Sequence, residues 1–387
     1  MARTRFAPAE RGLIAMAAGI VFTRVFAFSL TTLGFTEFAR GLAPTGASPA
    51  TADLLAGIAL GAYGVTMALA QLGTGILSDR VGRRPVLLAG TGLFVLGAVA
   101  CAFATDVRVL IAARLLQGLG GVSSAALAAV GETVPEERRT TAMALVGVPA
   151  GLGVFLGFIV GPPLAGALGF QSLFWVTAGL GLLASVALVR PLPAPLPGLA
   201  QPRRSLGLPV LALAAAGFTI NFAMNAVMYD FQTDVLGNLG GAALAGCLLL
   251  AFVVMGGVSR SVDRSRAAWL PIVAALAVLA AMAPLFRLSP TWGIVFMAGT
   301  GFFAAHATLS AILPSQVSRL AGRSGGRGHG IQLVVAYLGS AAGAVVAGAF
   351  AHHLDKAFAV LAAVAVCAVL LMLLSLRQAA PLPEATA

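Results

Sequence analysis

Residues 75–85 read Gly-Ile-Leu-Ser-Asp-Arg-Val-Gly-Arg-Arg-Pro and place one acid and three arginines in six consecutive positions, 79–84. The flanks are bare of charge: Leu54–Ser78 on one side and Pro85–Thr105 on the other carry no Asp, Glu, Lys or Arg. Further uncharged runs cover Ser205–Tyr229, Val235–Ser259, Ala267–Phe286 and Ala357–Leu376. Each lies near the roughly 20 residues with which a helix crosses a bilayer. The whole chain is 59% apolar and only 10% charged, where soluble domains carry about 25% charged residues. An all-α membrane protein is the reading that follows. Strands of a membrane barrel would alternate apolar with polar residues, and these runs do not.

Thr140–Val189 is uncharged over 50 residues, too long for one crossing. Gly161-Pro162-Pro163 and the polar corner Gly169-Phe170-Gln171-Ser172 divide it into two helices. The same reading along the chain predicts twelve helices at 12–41, 52–77, 85–104, 107–132, 140–167, 172–190, 207–236, 241–260, 268–286, 291–318, 330–353 and 356–376. The segment 190–205 holds five prolines and three arginines, which suits an exposed link and not hydrocarbon. It separates a six-helix bundle at 1–189 from a second at 206–387.

With the N-terminus in the cytoplasm, 18 of the 24 Lys and Arg fall on the inner side and four, Arg40, Arg108, Arg287 and Lys356, on the outer. That bias matches the positive-inside rule with both ends cytoplasmic. The net charge of +11 is thereby explained as topology, and nucleic acid is not expected as a partner. Cys101, Cys247 and Cys367 lie in three separate helices without paired spacing, so neither disulfide nor metal site is expected. Residues 1–12 lead into a helix longer than a signal core, with no small-residue cleavage site. The phosphate-binding pattern GxxxxGK[ST] does not occur, and no cofactor or enzymatic activity is expected.

The opening stretch falls in the short cytoplasmic turn between the second and third predicted helices. There Gly75, Leu77, Asp79, Arg80, Gly82, Arg83 and Arg84 resemble the G-x-L-x-D-R-x-G-R-R signature of the major facilitator superfamily. Arg114-Leu-Leu-Gln117-Gly118-Leu-Gly120 resembles the family's R-x-x-Q-G-x-G element. Gly157, Gly161, Pro162, Pro163 and Gly166 resemble the element of its antiporter branch. Together they resemble the twelve-helix drug–proton antiporters. In the second half the equivalent turn, 256–266, keeps only fragments.

The resemblance implies a secondary transporter of the bacterial inner membrane that exports small amphipathic or lipophilic compounds by alternating access, with protons as the counter-ion and the protein as a monomer. It also implies that Asp79 faces the start of the eleventh helix near Gly330 and that Arg83 pairs with Glu132. The arginines then form a conformational latch; orientation alone would need neither Asp79 nor the glycines. Two other readings stay open: an exporter or uniporter of an anionic metabolite, lipid or metal chelate, and a membrane sensor that moves nothing. Helix 1 lacks the proline-rich ending and the midplane acid common in drug exporters.

Charges within the membrane are expensive and therefore functional candidates. Arg24 lies about eleven residues into helix 1, near the midplane at roughly 1.5 Å per residue, and Arg114 about two turns into helix 4. Either holds substrate or is bonded internally. Glu37, at the outer end of helix 1, is the carboxylate nearest to membrane-embedded; Asp53, Asp230 and Asp234 lie close to the outer surface. His306 is either a proton site or a packing histidine. Asn221, Asn225 and Tyr229 share one face of helix 7, and Tyr63, Met67 and Gln71 one face of helix 2; they line a cavity or join helices.

Overall fold

A computed structural model describes residues 6–189, 192–193, 207–234, 246–258, 269–288, 292–321 and 325–378. The 190–205 link therefore lies outside the described residues, apart from 192 and 193. Helices dominate: α1 Pro8–Thr32, α2 Phe35–Gly41, α3 Pro49–Val81, α4 Arg83–Ala102, α5 Val107–Leu119, α6 Ser123–Thr133, α7 Glu136–Leu168, α8 Gln171–Ala187 and α9 Leu208–Asp234. They continue as α10 Gly246–Val258, α11 Trp269–Leu288, α12 Trp292–Ala321, α13 Gly325–Ala349 and α14 Leu354–Gln378. Among the described residues 7 segments are long and apolar enough to cross a membrane, and α8, α10, α11 and α14 contribute shorter apolar stretches. Outward-facing leucines and valines agree with a lipid surround; Val253 is 73% exposed, and Leu96, Leu182 and Leu183 are exposed with it.

Two expected helices are each broken in two. Helix 1 does not run from 12 to 41. It ends at Thr32, and Gly34 takes φ 84° before the chain restarts as α2. That left-handed conformation is free only to glycine. Helix 4 is interrupted between Leu119 and Ser123. A Cβ on Gly120 would lie 2.6 Å from the Gly90 carbonyl oxygen, and one on Gly121 2.5 Å from Met67 Sδ. The chain is thus pressed between α3 and α4, and Gln71 of α3 caps the restart: the Ser124 amide donates to Gln71 Oε1 at 2.9 Å. α7, by contrast, runs unbroken through Pro149, Pro162 and Pro163.

Two glycine seams repeat across the chain. On α7, Gly153, Gly157 and Gly161 lie against the backbone of α1: a Cβ on Gly157 would sit 2.7 Å from the Leu30 nitrogen, and one on Gly161 2.5 Å from the Leu30 oxygen. On α13, Gly339 and Gly343 lie against α9, with Cβ positions 2.3 Å from the Phe218 oxygen and 2.2 Å from the Phe222 oxygen. Both partner helices present stacked phenylalanines four residues apart, Phe22 with Phe26 and Phe218 with Phe222. Gly166, the last glycine of the element that resembles the antiporter branch, meets nothing within 4 Å, so the close approach stops at Gly161.

A third seam joins α3 to α13. Cβ atoms on Gly57, Gly61 and Gly64 would fall 2.6 Å from the Ala344 oxygen, 2.9 Å from the Ala341 oxygen and 2.9 Å from the Tyr337 oxygen. Further along α3, Gly73 and Gly75 meet nothing within 4 Å.

Candidate functional site

Charged side chains gather at opposite ends of α3. At the arginine-rich end, α3 stops at Gly82, whose φ of 94° turns the chain directly into α4. Arg83 pairs with Glu132 of α6, Nε donating at 3.2 Å, and also donates to Ser78. The Arg83–Glu132 contact implied by the resemblance is thus formed. Arg84 donates to the carbonyl oxygens of Leu188 and Val189 at 2.9 and 2.6 Å, tying α4 to the end of α8. Arg138 of α7 binds Glu10 of α1 through two bonds of 2.9 and 3.0 Å. Arg80 is exposed. The Asp79 side chain, and with it the expected contact to the start of α13, lies outside the described residues. Every tie described at this end stays within residues before 190.

The opposite end is different. Asp53 opens α3 just after the Ser48 cap, whose Oγ accepts from the Thr51 amide at 3.2 Å, and is 5% exposed. Its carboxylate takes Arg40 of α2 as an ion pair. Tyr229 of α9 donates to the Asp53 backbone oxygen at 2.8 Å and lies 3.2 Å from its Oδ1. His352, in the turn after α13, places Nε2 2.9 Å from Oδ2. Burial alone lowers the Arg40 pKa, but the neighbouring Tyr229 and Asp53 carry it above the usual arginine value; the guanidinium is charged whenever the carboxylate is. One carboxylate therefore holds donors from residues before 190 and after 206.

Glu37 does not share this setting. It sits on α2, exposed, so it is not the withdrawn carboxylate that a continuous helix 1 implies. The break at Gly34 moved it. The Asp230 and Asp234 side chains lie outside the described residues.

Between the two ends lie Arg24 and Arg114, 3% and 1% exposed. Arg24 Nη2 donates to Thr91 of α4 at 3.3 Å, and its guanidinium stacks 3.8 Å from the Phe94 ring centre. Arg114 Nη1 donates to Gln117 at 2.8 Å, with the Tyr63 and Phe35 ring centres 4.6 and 5.0 Å away. Among the described residues neither has a carboxylate partner. Withdrawing such an ion from water costs several kcal/mol. A stacked ring returns about 2 kcal/mol and a charged hydrogen bond about 1.5–3 kcal/mol, which offsets much of that cost, and Arg24 Nη1 and Arg114 Nε are left without a hydrogen-bond partner among the described residues.

Asn221 and Asn225, read from the sequence as lining a cavity or joining helices, both make hydrogen bonds. Asn225 donates to Ser340 Oγ at 2.8 Å and to the Asn221 carbonyl at 3.1 Å, and Asn221 to the Gly217 carbonyl at 2.9 Å. Asn225 thereby fastens α9 to α13, while the Asn221 bond stays within α9. His306 is half-buried on α12 and joins neither cluster. Sequence reasoning passed over Thr91, Phe94, His352 and the Gly339/Gly343 pair; of these only the glycines carried a readable signal, their four-residue spacing. No group of three or more metal-ligating side chains occurs among the described residues.

Apolar helices facing lipid, close glycine seams and a few buried charges define a polytopic membrane protein. The family description Major Facilitator Superfamily matches residues 13–326, and the chain belongs to that family. It is 39% identical over 138 residues to the inner membrane transport protein YajR of Escherichia coli K12, covering 36% of this chain and 30% of that one. It is 33% identical over 127 residues to the multidrug resistance protein MdtL of Shigella flexneri, 32% of each chain. The chain spans about a third of the length of these two curated relatives. The crystal structure of the human organic anion transporter MFSD10 has the same fold, with a TM-score of 0.69 over 95% of this chain and 100% of that one at 18% identity.

Proposed function

We propose that the protein is a proton-coupled exporter of small amphipathic compounds that works by alternating access between the bundles 1–189 and 206–387, with both termini and the 190–205 link in the cytoplasm. The observation that carries this reading is the asymmetry along α3. At the Asp53 end the two bundles are joined by Arg40, Asp53, Tyr229 and His352 and by the seam from Gly57 to Gly64. At the arginine-rich end the described ion pairs stay within the first bundle, and Gly73 and Gly75 meet nothing. A molecule joined across its bundles by charged groups at one end, with no such join among the described residues at the other, fits one half of an alternating cycle. The positive-inside bias makes the closed end the outer one.

Coupling then belongs to Asp53. When the outer side opens, the carboxylate parts from Tyr229 and His352 and keeps Arg40, which moves with it in the first bundle. A relative named for multidrug resistance supports export of amphipathic compounds. Proteoliposomes with an imposed pH gradient and a panel of cationic, neutral and anionic amphipathic fluorophores test the reading. Proton-linked flux is expected from the parent and from Glu37→Gln, and its loss from Asp53→Asn. Flux in Asp53→Asn with normal lumen acidification removes Asp53 from the coupling role, and no flux of any fluorophore in the parent favours a sensor.

A further inference from the structure

Three buried side-chain nitrogen or oxygen atoms lack a hydrogen-bond partner among the described residues, and two of them are Arg24 Nη1 and Arg114 Nε. Both belong to one cluster. Tyr63 stands between the guanidiniums, stacked on Phe28 at 5.8 Å, and Phe94 lies under Arg24. Ala27, Met67 and, from α13, Tyr337 complete the surround. The described carboxylates that form ion pairs are taken: Glu10 by Arg138, Asp53 by Arg40 and Glu132 by Arg83. The Asn221 and Asn225 amides are taken as well.

We propose that Arg24 is the subsite for a negatively charged group on the transported compound, with Arg114 adding its charge from the far side of Tyr63. The rings of Phe94, Phe28, Tyr63 and Tyr337 receive the apolar body beside it, so the substrate class is a small amphipathic organic anion. This rests on the alternating-access reading, since Arg24, Tyr63 and Phe94 lie before residue 190 and Tyr337 lies after 206. A planar fork with one unpartnered nitrogen beside aromatic faces fits a carboxylate carried on an aromatic ring. It repels a cationic amphiphile and offers a neutral one only the rings.

Purified full-length protein in detergent is titrated by calorimetry with three probes of one shape: 1-naphthoate, 1-naphthalenemethanol and 1-naphthylmethylammonium. The parent is expected to bind naphthoate at least about tenfold more tightly than the other two. Arg24→Lys keeps the charge but loses the fork and weakens naphthoate alone. Arg24→Gln removes the preference, and because it also removes an incompletely paired buried charge, the ligand-free protein melts at an equal or higher temperature. Absence of naphthoate binding to the parent, or no preference for it, overturns the proposal. A lower melting temperature in Arg24→Gln with equal loss of all probes also overturns it, in favour of a structural arginine. Naphthoate preference without flux in proteoliposomes sinks the transport reading and leaves the anion site standing.

Discussion

Gly57→Ala isolates the closure of the outer side. The added methyl would lie 2.6 Å from the Ala344 carbonyl oxygen and 3.0 Å from the Gly348 Cα. Both are backbone atoms, so no side chain can swing aside and the two helices must part. Overpacking of this kind costs about 1–3 kcal/mol, and under the alternating-access proposal the cost falls on the closed arrangement alone, because α3 and α13 would separate when the outer side opens. Better helix propensity of alanine, about 1 kcal/mol, acts equally on both states and cancels. The outward-open population should therefore rise by about 5- to 150-fold. The reporter is a cysteine at Val345, which faces Gly61 across the seam, in a background where Cys101, Cys247 and Cys367 are serine. It is labelled in right-side-out vesicles by a membrane-impermeant maleimide, whose rate follows the open population. Gly19→Ala, with nothing within 4 Å, is the control. A labelling rate in Gly57→Ala within about twofold of the control would refute the idea that the seam is the moving contact.

Asp53→Asn should raise labelling in the same assay and His352→Gln should raise it less, since His352 is 56% exposed and exposed pairs contribute at most about 1 kcal/mol; the reverse order would displace Asp53 from the centre of the cluster. Gly339→Ala and Gly343→Ala strike a seam inside the second bundle, so each should lower the melting temperature by the equivalent of about 1–3 kcal/mol without altering labelling. Asp79→Asn should shift the balance away from the outward-open state and lower flux while expression persists; unchanged labelling and flux leave residues 79–84 with only an orienting role.

The helical fold was legible because charge exclusion from hydrocarbon writes itself along the chain one span at a time. The two helix breaks were not, for the same reason that each was short. Gly34 and Gly120-Gly121 look like tolerated helical glycines until α3 and α4 are seen pressed against the second break. Missing the first break made Glu37 the candidate carboxylate and left Asp53 looking like a surface residue. What distinguishes Asp53 is its company, and Tyr229 stands 176 positions away. Arg24 was found by its charge alone, but its partners Thr91 and Phe94 come from a helix that no local pattern connects to it.

The three glycine seams are chemically alike, yet only one is suited to move. The α7–α1 and α9–α13 seams each lie within one proposed bundle, and each is built on paired phenylalanines whose backbone the glycines touch. In a bilayer such contacts rest on dispersion between closely fitted surfaces, with no water to expel. Additional hydrogen bonds reinforce the second of these seams, where Asn225 reaches Ser340. The α3–α13 seam spans the two bundles and has no such internal fastening among the described contacts; its reinforcement is the carboxylate of Asp53 and its donors at one extremity. Dispersion holds all three seams shut; the α7–α1 pair also ends on a carboxylate, Glu10 with Arg138, but only the α3–α13 seam ends on one, Asp53, that takes contacts from residues both before 190 and after 206. Under the alternating-access proposal, opening of the outer side parts the α3–α13 contact and leaves the two seams within the bundles intact, which is what rigid bundles that rock against each other require.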